Sequence, residues 1–305
     1  MRDTLIASLC KKSPTRLERW MGLVVLGAVA SGCSRDDQLI RRVEEALAVT
    51  SGDFDDVAEP LNRMVVARTE YEGLISVATW DDTYNPDNIA LKVETLLGNR
   101  QEMLSFGAIW VASGTRGLGR QRYNGVDPDD ALLLDPDIAG NIQDFVSLGG
   151  TLLVTDWGYD LIELAFPEYI EFLGEDTEPD AAQRGEPGTY SANILEVELA
   201  DAIDGDVLAA RFDFSNWAVV EAVSEDVIVW AEGDVKYRLQ DGEGAQDLAG
   251  GPLLVSFQPY GPSSGQVVYS SFHLDAQNDA VIDALLRTLV GPFEEHADDP
   301  VAPIQ

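Results

Sequence analysis

Hydrophobic positions change their spacing several times along this chain, and each change marks an element. Residues 74–80 form a short apolar run that predicts a strand, after which Ile89, Val93, Leu96 and Leu97 share a helical face that Gly98 is placed to close. Residues 106–112 predict a second, buried strand. Ile138, Ile142, Phe145, Val146 and Leu148 mark a helix ending at Gly149 and Gly150, and residues 151–155 follow as a third strand. Thr155 or Asp156 is placed to cap the next helix, whose apolar face holds Leu161, Ile162, Leu164 and Ala165 before Pro167 interrupts it. Strands apolar throughout, separated by amphipathic helices, predict a parallel sheet covered on both faces.

Beyond Gly174 the pattern changes. Residues 175–190 read as a polar loop, and 194–199, 217–222 and 227–231 as strands without helices between them. Residues 252–257 and 266–272 flank the turn 261–265 as a hairpin or a bent return into the sheet. Val281, Ile282, Leu285, Leu286 and Leu289 then make the last helix. The expectation is an α/β fold, a mostly parallel sheet with helices on both faces and an antiparallel appendage in its C-terminal half. Upstream, Leu39, Ile40, Val43 and Leu47 have helical spacing and residues 50–60 read as a linker. The expected division is 1–32, 33–70, an α/β domain over 71–292, and a polar tail over 293–305.

Charge narrows the partners. The chain has 20 basic and 54 acidic residues, a net charge of −34. Such a surface repels nucleic acid and anionic headgroups. The acidic clusters at Asp53–Asp56, Asp127–Asp130 and Asp204–Asp206 do not fit an EF-hand loop. His296 falls in the tail, so no two-histidine metal site is expected, and no cofactor.

The first 33 residues have an order of their own: basic positions (Arg2, Lys11, Lys12, Arg16, Arg19), an apolar core, then Ala30–Ser31–Gly32–Cys33. This is the order of a secretory signal peptide, and its ending resembles the lipobox of bacterial lipoproteins. The apolar core would rise only ~15 Å as a helix, half of a ~30 Å hydrocarbon layer, so a permanent span is not expected. The resemblance implies cleavage before Cys33, a lipid thioether on its sulfur, and tethering to an envelope membrane. An ordinary cleaved signal with a chance cysteine is the alternative. Ser34 is not the aspartate that retains some lipoproteins at the inner membrane, which leans the placement to the outer one. Cys10 lies in the removed part, so no thiol would remain for a disulfide, a zinc site or a nucleophile.

Two segments carry a second resemblance: Ile142–Gln143–Asp144–Phe145–Val146–Ser147–Leu148–Gly149–Gly150–Thr151–Leu152–Leu153–Val154, and Gly265–Gln266–Val267–Val268–Tyr269–Ser270–Ser271–Phe272–His273. With the order of elements over 72–291, they resemble the class I glutamine amidotransferase-like fold. That family places a cysteine nucleophile on the turn after a strand and supplies a histidine and an acid late in the chain. The matching turn here, Val154–Thr155–Asp156–Trp157–Gly158, holds neither cysteine nor serine, while His273 and Asp275 match the late pair. The resemblance therefore implies lost amidotransferase chemistry. Asp156, His273 and Asp275 remain candidates for an aspartate nucleophile or an acid–base pair. The competing roles are a helix cap for Asp156 and a bonded strand-end imidazole for His273. Arg116, Arg120 and Arg122, in the loop after the second strand, are candidates for a carboxylate or phosphate ligand, or for pairing with Asp127, Asp129 and Asp130. Trp157 and Trp217 would suit a sugar platform or partly buried core. Three functions follow as expectations: a lipid-anchored, non-catalytic module binding an envelope protein or small anionic ligand; an envelope hydrolase using Asp156 and His273; or a structural component of an envelope assembly.

Overall fold

A computed structural model describes residues 46–58, 60–61, 76–80, 93–115, 118, 132–174, 181–214, 217–239 and 244–290. The chain divides into units 1–44 and 45–305, and all of these residues belong to the second. Cys33, the arginines of the 116–122 loop and the 293–305 tail lie outside the described residues.

Five strands make the parallel half of the sheet: β1 (Ala46–Thr50), β2 (Ser76–Trp80), β3 (Ala108–Val111), β4 (Thr151–Thr155) and, last in sequence, β13 (Val267–Ser270). They lie in the order β2-β1-β3-β4-β13, each pair parallel. This is the flavodoxin-like doubly wound order. Alternate residues of β1, β3, β4 and β13 feed different cores. Ala48, Ile109, Val111, Leu152, Val154, Val267 and Tyr269 face one. It is covered by α1 (Val93–Leu97), α2 (Arg100–Met103), α3 (Pro136–Ser147) and α4 (Asp160–Ala165). Leu47, Val49, Trp110, Leu153 and Val268 face the other, beneath α5 (Val197–Ile203) and α6 (Asp279–Val290). Burial on both faces explains why these strands read as continuous apolar runs.

The expected appendage continues the same sheet. β12 (Ala245–Phe257) pairs antiparallel with β13, and β11 (Ile228–Arg238) with β12. Beyond them lie β6 (Arg184–Gly185), β7 (Gly188–Ile194), β8 (Val207–Phe212) and β9 (Trp217–Ala218). A separate two-stranded sheet joins β5 (Ile170–Phe172) to β10 (Val220–Val223).

The α3–β4 junction shows why its glycines sit where they do. Asp135 caps α3 through the Asp137 N–H, and Gly149 leaves the helix at φ +101°. A Cβ on Gly150 would meet the Phe145 ring at 2.3 Å, and one on Gly265 would meet the Gly150 carbonyl at 1.8 Å. Backbones thus pack where side chains cannot.

The structure corrects three expectations. Residues 46–49, given to the end of a helix, belong to β1, the strand between β2 and β3; Leu47, Ala48 and Val49 are buried on alternate faces, which local helical spacing cannot reveal. Residues 50–58 are not a linker: Asp55 and Val57 are buried, and Gly52 bridges to Thr115. The strand expected over 194–199 is the end of β7 followed by α5, whose single buried side chain, Leu199, gave little helical signal.

Candidate functional site

The loops that follow β1, β3, β4 and β13 meet at the carboxyl edge of the parallel strands, where open α/β sheets build sites. Thr50, at the end of β1, ties the first two loops together. Its hydroxyl accepts from the Ala112 N–H at 2.9 Å and lies 2.6 Å from the Thr115 hydroxyl.

Asp156 occupies the turn after β4. Its φ of +42° lies in the left-handed region, which costs a non-glycine residue about 1–3 kcal/mol and persists only where the surroundings hold it. The holding groups are all visible. Oδ1 accepts the Ala218 N–H at 2.6 Å. Oδ2 accepts the Ser113 hydroxyl at 3.1 Å and the His273 Nε2–H at 2.9 Å. The Tyr269 hydroxyl donates to its carbonyl at 3.3 Å. Asp156 therefore does not cap its own helix, the role expected for it. Its carboxylate crosses to the appendage instead.

His273 lies three residues past β13 and bridges two carboxylates: Nε2 to Asp156, and Nδ1 to Asp213 Oδ1 at 3.0 Å. Burial disfavours the ring's charge, but the bonds to Asp156 and Asp213 outweigh it and push the pKa up to about 10. Burial also acts against the Asp213 charge, and the imidazolium overcomes it, holding that carboxyl below its usual value. At neutral pH both ring nitrogens are protonated donors.

Asp275, the acid expected to orient the histidine, takes another place. Its carboxylate accepts the Asp56 N–H at 3.1 Å, and its own N–H points to Asp55 Oδ1 at 3.3 Å. Asp55 is buried and also accepts the Thr155 hydroxyl at 2.8 Å. Burial raises its pKa to about 6, against the opposing effect of His273. The orienting acid is Asp213, from the segment between β8 and β9. Asp213 and Ala218 were missed from sequence because contact with the parallel edge depends on how the appendage folds back, and Asp55 because an acid in a polar stretch gives no sign of burial.

The chemistry open to this arrangement is narrow. Asp156 is 1% exposed and His273 4%. Phe214 packs at a tilt against the imidazole with centroids 5.5 Å apart, and Trp217, tilted against Phe212, is core rather than a sugar platform. A general base needs a neutral ring and a nucleophile needs an open oxygen; His273 is held charged and Asp156 is buried with both oxygens engaged, so this pair serves as neither. Asp213, His273 and Asp275 bring candidate metal-ligand atoms within 4.8 Å of one another. Both ring nitrogens are already bonded to carboxylates, so a cation at this set would have to displace the bond from Nδ1 to Asp213.

No family model matches the chain, and no curated protein does. Among solved structures it is similar to the N-terminal domain of mmIFT52, at 10% identity and a TM-score of 0.47 over 80% of this chain and 97% of that one. A glutamine amidotransferase from Thermotoga maritima aligns at 10% identity and a TM-score of 0.42, covering 84% and 86%. A β-galactosidase from Bacillus circulans aligns at 11% and 0.42 over 86% of this chain and 33% of that one. The functional reading rests on the geometry of the site itself.

Proposed function

We propose that this protein is a lipid-tethered, non-catalytic α/β module that works by recognition in the cell envelope, its partner an envelope protein or a small anionic ligand. One observation carries the reading. At the turn where amidotransferase-like proteins place a reactive thiol, Asp156 is sealed in, with each carboxylate oxygen engaged by protein donors. The buried charges fasten the appendage to the parallel sheet, and reacting groups have no entry. The lipobox resemblance at Cys33 supports the tether.

Assays of the full chain with L-glutamine and with p-nitrophenyl esters test this. The expected rate equals that of the Asp156→Asn and His273→Ala variants. A rate that falls about a hundredfold in either variant, while the variant keeps its fold, overturns the reading in favour of a hydrolase. That rival is favoured by the strained backbone at Asp156 and its 2.9 Å contact with His273. The tether has its own check: membrane-extracted protein should carry diacylglycerol on Cys33 by intact mass, and an unmodified amino terminus upstream refutes it.

A further inference from the structure

A second concave surface lies at the amino edge of the parallel strands, opposite His273. β12 ends at Phe257 and β13 begins at Val267, so the connecting turn sits there, beside the start of β11. Together with Tyr169 these segments enclose a groove of about 480 Å³, within the range of about 300–1,000 Å³ usual for small-ligand sites.

Two aromatic side chains line the groove, each fixed from behind. Trp230 donates its indole N–H to the hydroxyl of buried Ser256 at 2.8 Å. Tyr169 lies flat on Phe257, with centroids 4.2 Å apart and planes within 6°. Its hydroxyl reaches the Pro259 carbonyl at 3.4 Å. Asp226, Gln258 and Gln266 line the same groove. They provide a carboxylate that accepts hydrogen bonds and amides that both donate and accept. Among the described residues lining the groove there is no Lys or Arg.

This lining selects a ligand class. The acid at the groove and the net charge of −34 repel anions. A purely apolar ligand would strip water from the carboxylate and amides without replacing its hydrogen bonds. A pyranose ring meets both demands, with a C–H face for the aromatic rings and a rim of hydroxyls for the acid and amides. We propose that this groove binds an uncharged oligosaccharide, with Tyr169, backed by Phe257, as the ring platform, Trp230 bordering the groove from the opposite face of the sheet, and Asp226 and Gln258 as hydroxyl partners. The site is separate from the Asp156–His273 cluster and does not depend on that cluster being inert.

Titration of the full chain with cellohexaose, chitohexaose, maltohexaose and mannohexaose, followed by tryptophan fluorescence and calorimetry, tests the proposal. Saturable binding of at least one sugar is expected. It should weaken at least about tenfold in Trp230→Ala and in Gln258→Ala, and be unchanged in Leu134→Ala, an exposed leucine in a different element. Gln258 is exposed, so its variant keeps the test usable if Trp230→Ala misfolds. Absence of saturable binding to all four sugars overturns the proposal. So does binding indifferent to Gln258→Ala, or a proline-rich peptide that outcompetes every sugar for the groove.

Discussion

The carboxyl edge of the parallel sheet buries its central charged groups against protein donors, whereas the amino edge holds rings and amides open to solvent. At the first, Asp156, Asp55 and His273 are buried and joined through Ser113, Thr155 and Ala218. At the second, Asp226 and Gln258 are exposed beside aromatic rings that are already immobilised. The usual ligand edge of this topology has thus been closed by a segment of its own appendage. An edge with no special standing in the fold has the more ligand-ready surface. A site's place in a topology says where chemistry can be built, and burial decides whether anything reaches it.

The sharpest way to break this contrast is to remove the histidine. His273→Ala leaves Asp156 and Asp213 without their shared cation, and breaking a buried ion pair this way costs about 3–5 kcal/mol. Urea denaturation should show a loss of that size. The loss should shrink as pH rises. With a folded pKa raised to about 10, His273 contributes its full stabilisation below its unfolded value near 6.5 and loses it as pH climbs through 10. Wild type and variant should therefore converge toward pH 10. A constant gap would mean that packing, not charge, does the fastening.

How far this was legible in the sequence depends on the range of the forces involved. The units from α3 to β4 and from Gly265 to His273 could be read directly, because caps, glycines and apolar runs act over a few residues. Asp156 and His273 were both singled out, and they do meet. Asp275 was chosen because, with His273, it resembles the late histidine-and-acid pair of amidotransferase-like proteins, but space favoured Asp213, some sixty positions away. β1 was hidden because a five-residue strand with apolar neighbours on its amino-terminal side shares the spacing of a short helix. Asp55 was hidden because an acid in a polar stretch gives no sign of burial, which is imposed by the loops after β3 and β4 closing over it.

Asp55 sharpens the comparison from the opposite direction, since burial raises its carboxyl pKa. Its folded pKa of about 6 against 3.8 means the folded state binds the extra proton between those values. Stability from this group is present below pH 3.8 and lost as pH rises through 6. Asp55→Asn should remove that slope and stabilise the protein at pH 7 by up to about 3 kcal/mol, since each pKa unit is worth about 1.4 kcal/mol. Denaturation curves at pH 4, 5, 6 and 7 check it. A destabilised variant at pH 7 would show that the bonds to Thr155 and Asp275 need the full charge.

Asp213→Asn is the intermediate case, because Asp213 sits at the cluster's rim with a side chain 23% exposed. The amide oxygen can still accept from Nδ1, so only the charge component is lost, about 1–2 kcal/mol. The His273 pKa, followed by NMR of the ring protons, should fall below its wild-type value, since one of the three carboxylates that raise it is gone. A pKa that does not move would mean that the buried carboxylates, Asp156 and Asp55, hold the proton without it.

The smallest stability effect belongs to the amino edge, and there the comparison turns on function. Asp226→Asn and Gln258→Ala change exposed groups that support no buried neighbour, so each should alter stability by less than about 0.5 kcal/mol. Both should nonetheless weaken sugar binding, because their hydrogen-bonding groups are pre-positioned beside fixed rings and complete the hydroxyl contacts. The pairing of unchanged melting with weakened binding is what separates a ligand surface from a fastening. Variants of the carboxyl-edge cluster should show the reverse, lower melting with sugar affinity unchanged in the fraction that stays folded. If Gln258→Ala lowers stability by several kcal/mol, the 258–266 turn is itself a structural clamp, and the two edges differ in exposure alone.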